Sequence, residues 1–241
     1  MTEQSQSTRV VFSLCALGLT NGCITSQDAA FSEPTDAVTA DTQPLSQGEA
    51  KRQDIALASD NNWDVYSNRS LEKKEYLGKA QLVCSNMANP AQCREGAVDY
   101  GFGTGLWSAR IDACGGNARW IWAPGITGAS APAEWAEYYF VNRVSLPARP
   151  ASAQVHLAVD DLAEVLVNGS SVGTIGSITD FGVAWATESA PTDIDITSSL
   201  AVGQNTIMIR AANGTGAFSG CTNCTYQQNP AGVIFCVDVR Y

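Results

Sequence analysis

The chain contains a single histidine, His156, among 241 residues. A Ser-His-Asp nucleophile system needs an imidazole base, so this scarcity leaves one candidate. The alternation of Val155, Leu157 and Val159 puts His156 in the outward phase of a strand, toward water and away from any buried catalytic centre. Charge is also scarce. Asp, Glu, Lys and Arg make up 16% of the residues, and no basic run occurs. The formal net charge is −10. Phosphate recognition needs clustered Lys and Arg, so nucleic acid is excluded as a partner and anionic membrane is disfavoured. No long stretch has helical period, and no internal repeat is visible. The apolar run at residues 10–19 (VVFSLCALGL) is too short to span a bilayer, which takes about 20 apolar residues.

What is present is short-range alternation. Residues 138–169 read YYFVNRVSLPARPASAQVHLAVDDLAEVLVNG, and residues 193–213 continue DIDITSSLAVGQNTIMIRAAN. Period-2 alternation gives half-buried strands, with turn residues between them. Strands are expected at 63–66, 107–111, 119–122, 136–146, 153–159, 165–167, 172–175, 181–185, 193–196, 205–211 and 233–239. Residues 71–83 read as a short helix or a strand. Asn168-Gly169 marks a tight hairpin, because both residues accept positive φ. Val155, Leu157, Val159, Val165, Val167, Ile194, Ile196, Ile207 and Ile209 are expected inward. Trp120 and Trp122 share a strand face and read as core. Together these segments predict an all-β sandwich over residues 59–241.

The N-terminus reads as an export signal over residues 1–22: Arg9, the apolar run, then Thr20-Asn21-Gly22-Cys23. Its end resembles a bacterial lipobox, with Thr20 where the usual form has Leu and Leu19 one place further back. The resemblance implies lipidation at Cys23 and a place in the cell envelope, lipid-anchored to a bacterial membrane. Residues 23–58 are polar and poor in aromatics, the composition of a disordered tether. Eight cysteines are present. Cys15 lies in the signal and Cys23 at its end, and six remain: Cys84, Cys93, Cys114, Cys221, Cys224 and Cys236. An even number in an exported chain predicts disulfides. Cys84 with Cys93 is the expected pair, since they flank a turn-rich segment. Cys221-x-x-Cys224 has zinc-ligand spacing but lacks a second close pair.

The residues Tyr139-Phe140, Asp160-Asp161, Val165-Leu166-Val167-Asn168-Gly169, Ile194-Asp195-Ile196-Thr197 and Gly203-Gln204-Asn205-Thr206-Ile207 resemble the galactose-binding-domain-like jelly rolls. The well-marked part covers about 75 residues. The resemblance implies a jelly-roll β-sandwich used for binding, with glycan as the first ligand class. Fold alone does not fix function, and the cysteine-rich segment 213–232 departs from the family core.

Sugar sites stack a ring on an aromatic face and orient it with a few polar groups. Phe102 and Trp107 bracket Gly103-Thr104-Gly105, and Trp135 lies in a second loop. These three are the expected stacking residues, with Asp160 and Asp161 as acceptors; the competing reading folds them back onto the core. No cofactor is required. A structural calcium, which many galactose-binding-like relatives carry, would draw on Asp160, Asp161, Asp180, Asp193 and Asp195. Solvated turn carboxylates are the competing reading. Three roles follow, in order: a non-catalytic glycan-binding module, a structural or adhesion component with surface-protein partners, and a glycoside-active enzyme using paired carboxylates.

Overall fold

The computed structural model describes residues 53–84, 97–99, 107–127, 129, 135–214, 224–226 and 228–241. Contacts divide the chain into Met1–Gly48 and Glu49–Tyr241, and the architecture below belongs to the second unit. The export signal, Cys23, Cys93, Phe102 and Cys221 lie outside the described residues.

The fold is a sandwich of two largely antiparallel sheets with one short α-helix. The strands are β1 (Ile55–Ala58), β2 (Asp64–Tyr66), β3 (Tyr76–Lys79), β4 (Gln81–Cys84), β5 (Val98–Asp99), β6 (Ile121–Trp122), β7 (Glu137–Leu146), β8 (Ser152–Asp160), β9 (Leu162–Val167), β10 (Ser170–Gly176), β11 (Thr192–Asp195), β12 (Gly203–Ala212) and β13 (Gly232–Arg240). Helix α1 (Phe181–Ser189) falls between β10 and β11. The first sheet runs β11-β8-β13-β6-β4-β5, with β1 also on β13. The second runs β10-β9-β12-β7-β2-β3. Only β5 on β4 pairs in parallel among these strands.

The long strands follow the alternation in the sequence. Ala153, Val155, Leu157 and Val159 of β8 face Ala163, Val165 and Val167 of β9 and Ile207, Ile209 and Ala211 of β12 across one interior, and all are buried. Ile194 is only partly buried and packs at the margin of this core. Asn168 and Gly169 have φ of 52° and 83°, and Ser170 pairs back onto Val167, so the hairpin forms as expected. Trp120 and Trp122 are core residues. Trp122 packs edge-on to Tyr138, with centroids 5.5 Å apart.

Four expectations change. The sheet begins at Ile55, inside the stretch read as tether, because residues 55–58 find the free edge of β13 in register Ile55↔Val239. Residues 71–83 hold a 3-10 turn at Lys73–Glu75 followed by two strands. Residues 107–111 do alternate, with Trp107, Ala109 and Ile111 buried, yet form no ladder. There the Ala109 N–H donates to the Glu188 carbonyl of α1 instead of to a strand. Residues 181–185 are helical. Asp180 caps that helix, its Oδ1 accepting from the Val183 N–H at 3.2 Å. No helix among the described residues is long and apolar enough to cross a membrane.

Cys114 and Cys236 form a disulfide across 122 positions of sequence, with Cα atoms 6.0 Å apart. Cys84 and Cys224 are disulfide-bonded as well. The expected partner of Cys84, Cys93, lies outside the described residues.

Candidate functional site

Asp160 ends β8 in the first sheet, and Asp161 opens the crossing to β9 in the second; the peptide between them is cis. Both were expected on a solvated turn. Both are instead buried, at 6% exposure each. Neighbouring glycines make room for them. Gly176 has φ +79°, and a Cβ there would stand 1.9 Å from the Asp161 carbonyl oxygen. A Cβ on Gly214 would stand 2.9 Å from Asp161 Oδ2. With no side chain in the way, the Gly214 N–H donates to that same oxygen at 2.6 Å.

Trp107, expected as an exposed stacking residue, is 1% exposed. Its indole lies almost parallel to Trp120, with centroids 4.8 Å apart and planes 13° from parallel. The reason lies across the sheet. Gly232 pairs with Asp160, and a Cβ on Gly232 would meet Trp107 at 2.7 Å and Trp120 at 3.0 Å. The missing side chain lets the indole lie over the strand, and Trp107 Nε1 donates to Asp160 Oδ2 at 2.8 Å. Trp107 is thus a core residue that holds a carboxylate.

Glu188, which sequence reasoning passed over, is the third member. It sits near the end of α1, and α1 is tied to β8 by Thr187 Oγ1 donating to the Val159 carbonyl at 3.0 Å. One carboxylate oxygen from each of Asp160, Asp161 and Glu188 lies within 4.8 Å of the others, and all three residues are buried. Burial, then the charges of Asp161 and Glu188, hold the Asp160 carboxyl well above the usual range. Burial raises Asp161 too, opposed by the Gly214 N–H. Burial and then the Asp161 charge push Glu188 from 4.5 up to about 8. No ion pair among the described residues involves any of the three. Such a cluster can share protons or hold a cation; three unscreened charges in an apolar interior are too costly.

The other carboxylates proposed for calcium are engaged elsewhere. Asp180 caps α1. Asp193 meets His156 Nδ1 at 2.6 Å on the outer face of the first sheet. Asp195 accepts from both the Thr197 N–H and its hydroxyl. Glu164, which was not among the calcium candidates, pairs with Arg210 at 3.3 Å, beside Glu137. A separate concavity of about 530 Å³ on that outer face is lined by Ser152, Gln154, His156, Asp112, Asp238 and Arg240, with no Trp, Tyr or Phe among its described lining residues.

Trp135 is where the sequence put an exposed aromatic. It is 50% exposed, with φ of 66°. Its neighbour Ala136 accepts the Asn213 N–H at 3.0 Å, and Asn213 leads directly to Gly214 on Asp161. Trp135 and the acidic cluster therefore share one end of the sandwich.

No protein-family profile and no curated protein matches the chain. Distant likenesses exist among solved structures. An α-L-rhamnosidase from Streptomyces avermitilis, complexed with L-rhamnose, is 26% identical over 50% of this chain and 10% of its own, with a TM-score of 0.37. A lectin from Pleurotus ostreatus in complex with GalNAc is 19% identical over 57% of this chain and 32% of its own, at 0.33. A β-glucuronidase from Ruminococcus gnavus is 11% identical over 77% of this chain and 29% of its own, at 0.38. The chain thus spans a third or less of the length of each of these.

Proposed function

We propose that the sandwich is a jelly roll of the galactose-binding type and serves as a non-catalytic carbohydrate-binding module. The signal-like N-terminus and Cys23 would hold it at the cell envelope. The observation that carries this reading is Trp135. An indole half open to solvent, in left-handed backbone, has little packing reason to be there, and it stands at the end where Gly214 and Asp161 meet. Such a ring offers a flat apolar face for a sugar, and stacking is worth about 0.5–1.5 kcal/mol beyond buried area. Binding without catalysis fits the rest. His156 is engaged with Asp193 on the outer sheet face. The clustered carboxylates are buried, whereas a glycosidic bond must lie between two acids in a cleft that substrate can enter.

A glycan array probed with the full chain tests this reading, and L-rhamnose and GalNAc belong on it. Trp135→Ala should weaken binding severalfold with an unchanged melting temperature. Absence of binding to every glycan, or equal binding by Trp135→Ala, defeats the proposal. A protein-partner role is the second reading. It rests on β3, an edge strand of the second sheet with Tyr76 43% and Leu77 44% exposed, a row open to pairing with another chain.

A further inference from the structure

We infer that Asp160, Asp161, Glu188 and Asn213 form a binding site for a hard divalent cation of the size of calcium, independent of any glycan. The carboxylates alone would not carry this; Asn213 does. It is fully buried, and neither its Oδ1 nor its Nδ2 has a hydrogen-bond partner. A buried amide left without partners costs about 1–3 kcal/mol; a cation would meet the need of Oδ1, while Nδ2 needs an acceptor such as a water on the ion. Its direction follows from the strand. Ile207, Ile209 and Ala211 of β12 point inward, and Asn213 continues that phase. The ladder pairs Ala212 with Leu162, so one step further sets Asn213 opposite Asp161, itself in phase with the inward Ala163 and Val165. Directly opposed residues on one face have Cβ atoms about 4.5–5.5 Å apart. Asn213 is therefore aimed at the carboxylates.

Glu188 Oε2 is likewise buried and unpartnered. The donors are all oxygen, with no imidazole or thiolate among them, which selects against zinc and copper and for calcium or magnesium. Calcium–oxygen distances of about 2.3–2.6 Å place ligand oxygens up to roughly 5 Å apart across the ion, and the three carboxylate oxygens lie within 4.8 Å. Two of the carboxylates are already oriented, by the Trp107 indole and by the Gly214 N–H. A divalent ion would offset most of their charge. It would also join three separate elements: the β8–β9 crossing, the end of α1 and the end of β12.

The test uses the full chain, stripped with chelator and titrated calorimetrically with calcium chloride and, separately, magnesium chloride. Terbium serves as an optical probe, because the indole of Trp107 touches a ligand and should sensitise its emission. One calcium per chain, terbium emission that calcium displaces, and a melting temperature raised by several degrees are expected. Asp161→Asn and Glu188→Gln should each weaken calcium binding by at least about tenfold and abolish the thermal shift. If either variant fails to fold, the other and the terbium–calcium competition on the unmodified chain decide. Absence of calcium binding and of terbium emission overturns the site, leaving a proton-sharing carboxyl cluster. Wild-type affinity in a folded variant overturns it too. Glycan binding by protein that takes up no calcium would sink this site and spare the module; calcium uptake without glycan binding would do the reverse.

Discussion

Replacing Cys114 and Cys236 together by alanine opens the long loop that their disulfide closes. The bond joins positions 122 apart in sequence. In the chain-entropy picture, closing a loop of that length removes about 5 kcal/mol of conformational freedom from the unfolded state at 25 °C. The folded state loses something as well. Cys236 is fully buried in β13, between Ala58 of β1 and His156 of β8, so two missing sulfurs leave a small cavity worth about 1 kcal/mol. Native disulfides typically return 2–5 kcal/mol when removed, so a loss of about 3–5 kcal/mol is expected. For a domain of this size that lowers the melting temperature by roughly 6–20 °C. The double variant is preferable to reduction, because Cys84 and Cys224 are also disulfide-bonded and would open too. Urea denaturation of the variant against the parent, both unreduced, measures the difference. A loss under about 1 kcal/mol would refute the reasoning. It would mean that the ladder of β13 with β8 and β1 already restricts the unfolded ensemble, or that the bond stores strain equal to its entropic gain.

In metal-free protein, Glu188 should make stability fall with pH. Its folded value near 8 lies above the ordinary 4.5, so the folded state keeps a proton that the unfolded chain has lost. Stability is full below 4.5 and declines as pH rises through about 8, by a few kcal/mol at most. Glu188→Gln should flatten part of that slope in chelator-containing denaturation curves, and an unchanged slope would count against a buried carboxyl. Gly176→Ala should destabilise by about 3 kcal/mol or more, since it combines left-handed backbone with a Cβ 1.9 Å from the Asp161 carbonyl oxygen. A variant of parental stability by thermal melting would show that the crossing can move aside.

Strand identity was legible in the sequence because it is a local property. Alternation in residues 152–160 and 203–212 sets which side chains face the core, whatever the partner strand, and Asn168-Gly169 carries its own turn preference. The exposure of Trp135 was legible too, as an aromatic among loop residues. Helix α1 was not. Phe181, Val183 and Trp185 favour strands, and its apolar residues surround the helix without one clear face, so only Asp180 as a cap announced it. The 55–58 strand was hidden because four residues of weak pattern become a strand only beside the open edge of β13. The acidic cluster lay furthest from the sequence's reach. Asp160 and Asp161 read as turn residues, and nothing in the local sequence singled out Glu188 or Asn213. Strand periodicity and turn preference follow from near neighbours along the chain. The burial of Trp107 over Gly232, and the meeting of three carboxylates from β8, the β9 crossing and α1, follow from which strands lie side by side, and that was decided only when the two sheets packed on one core.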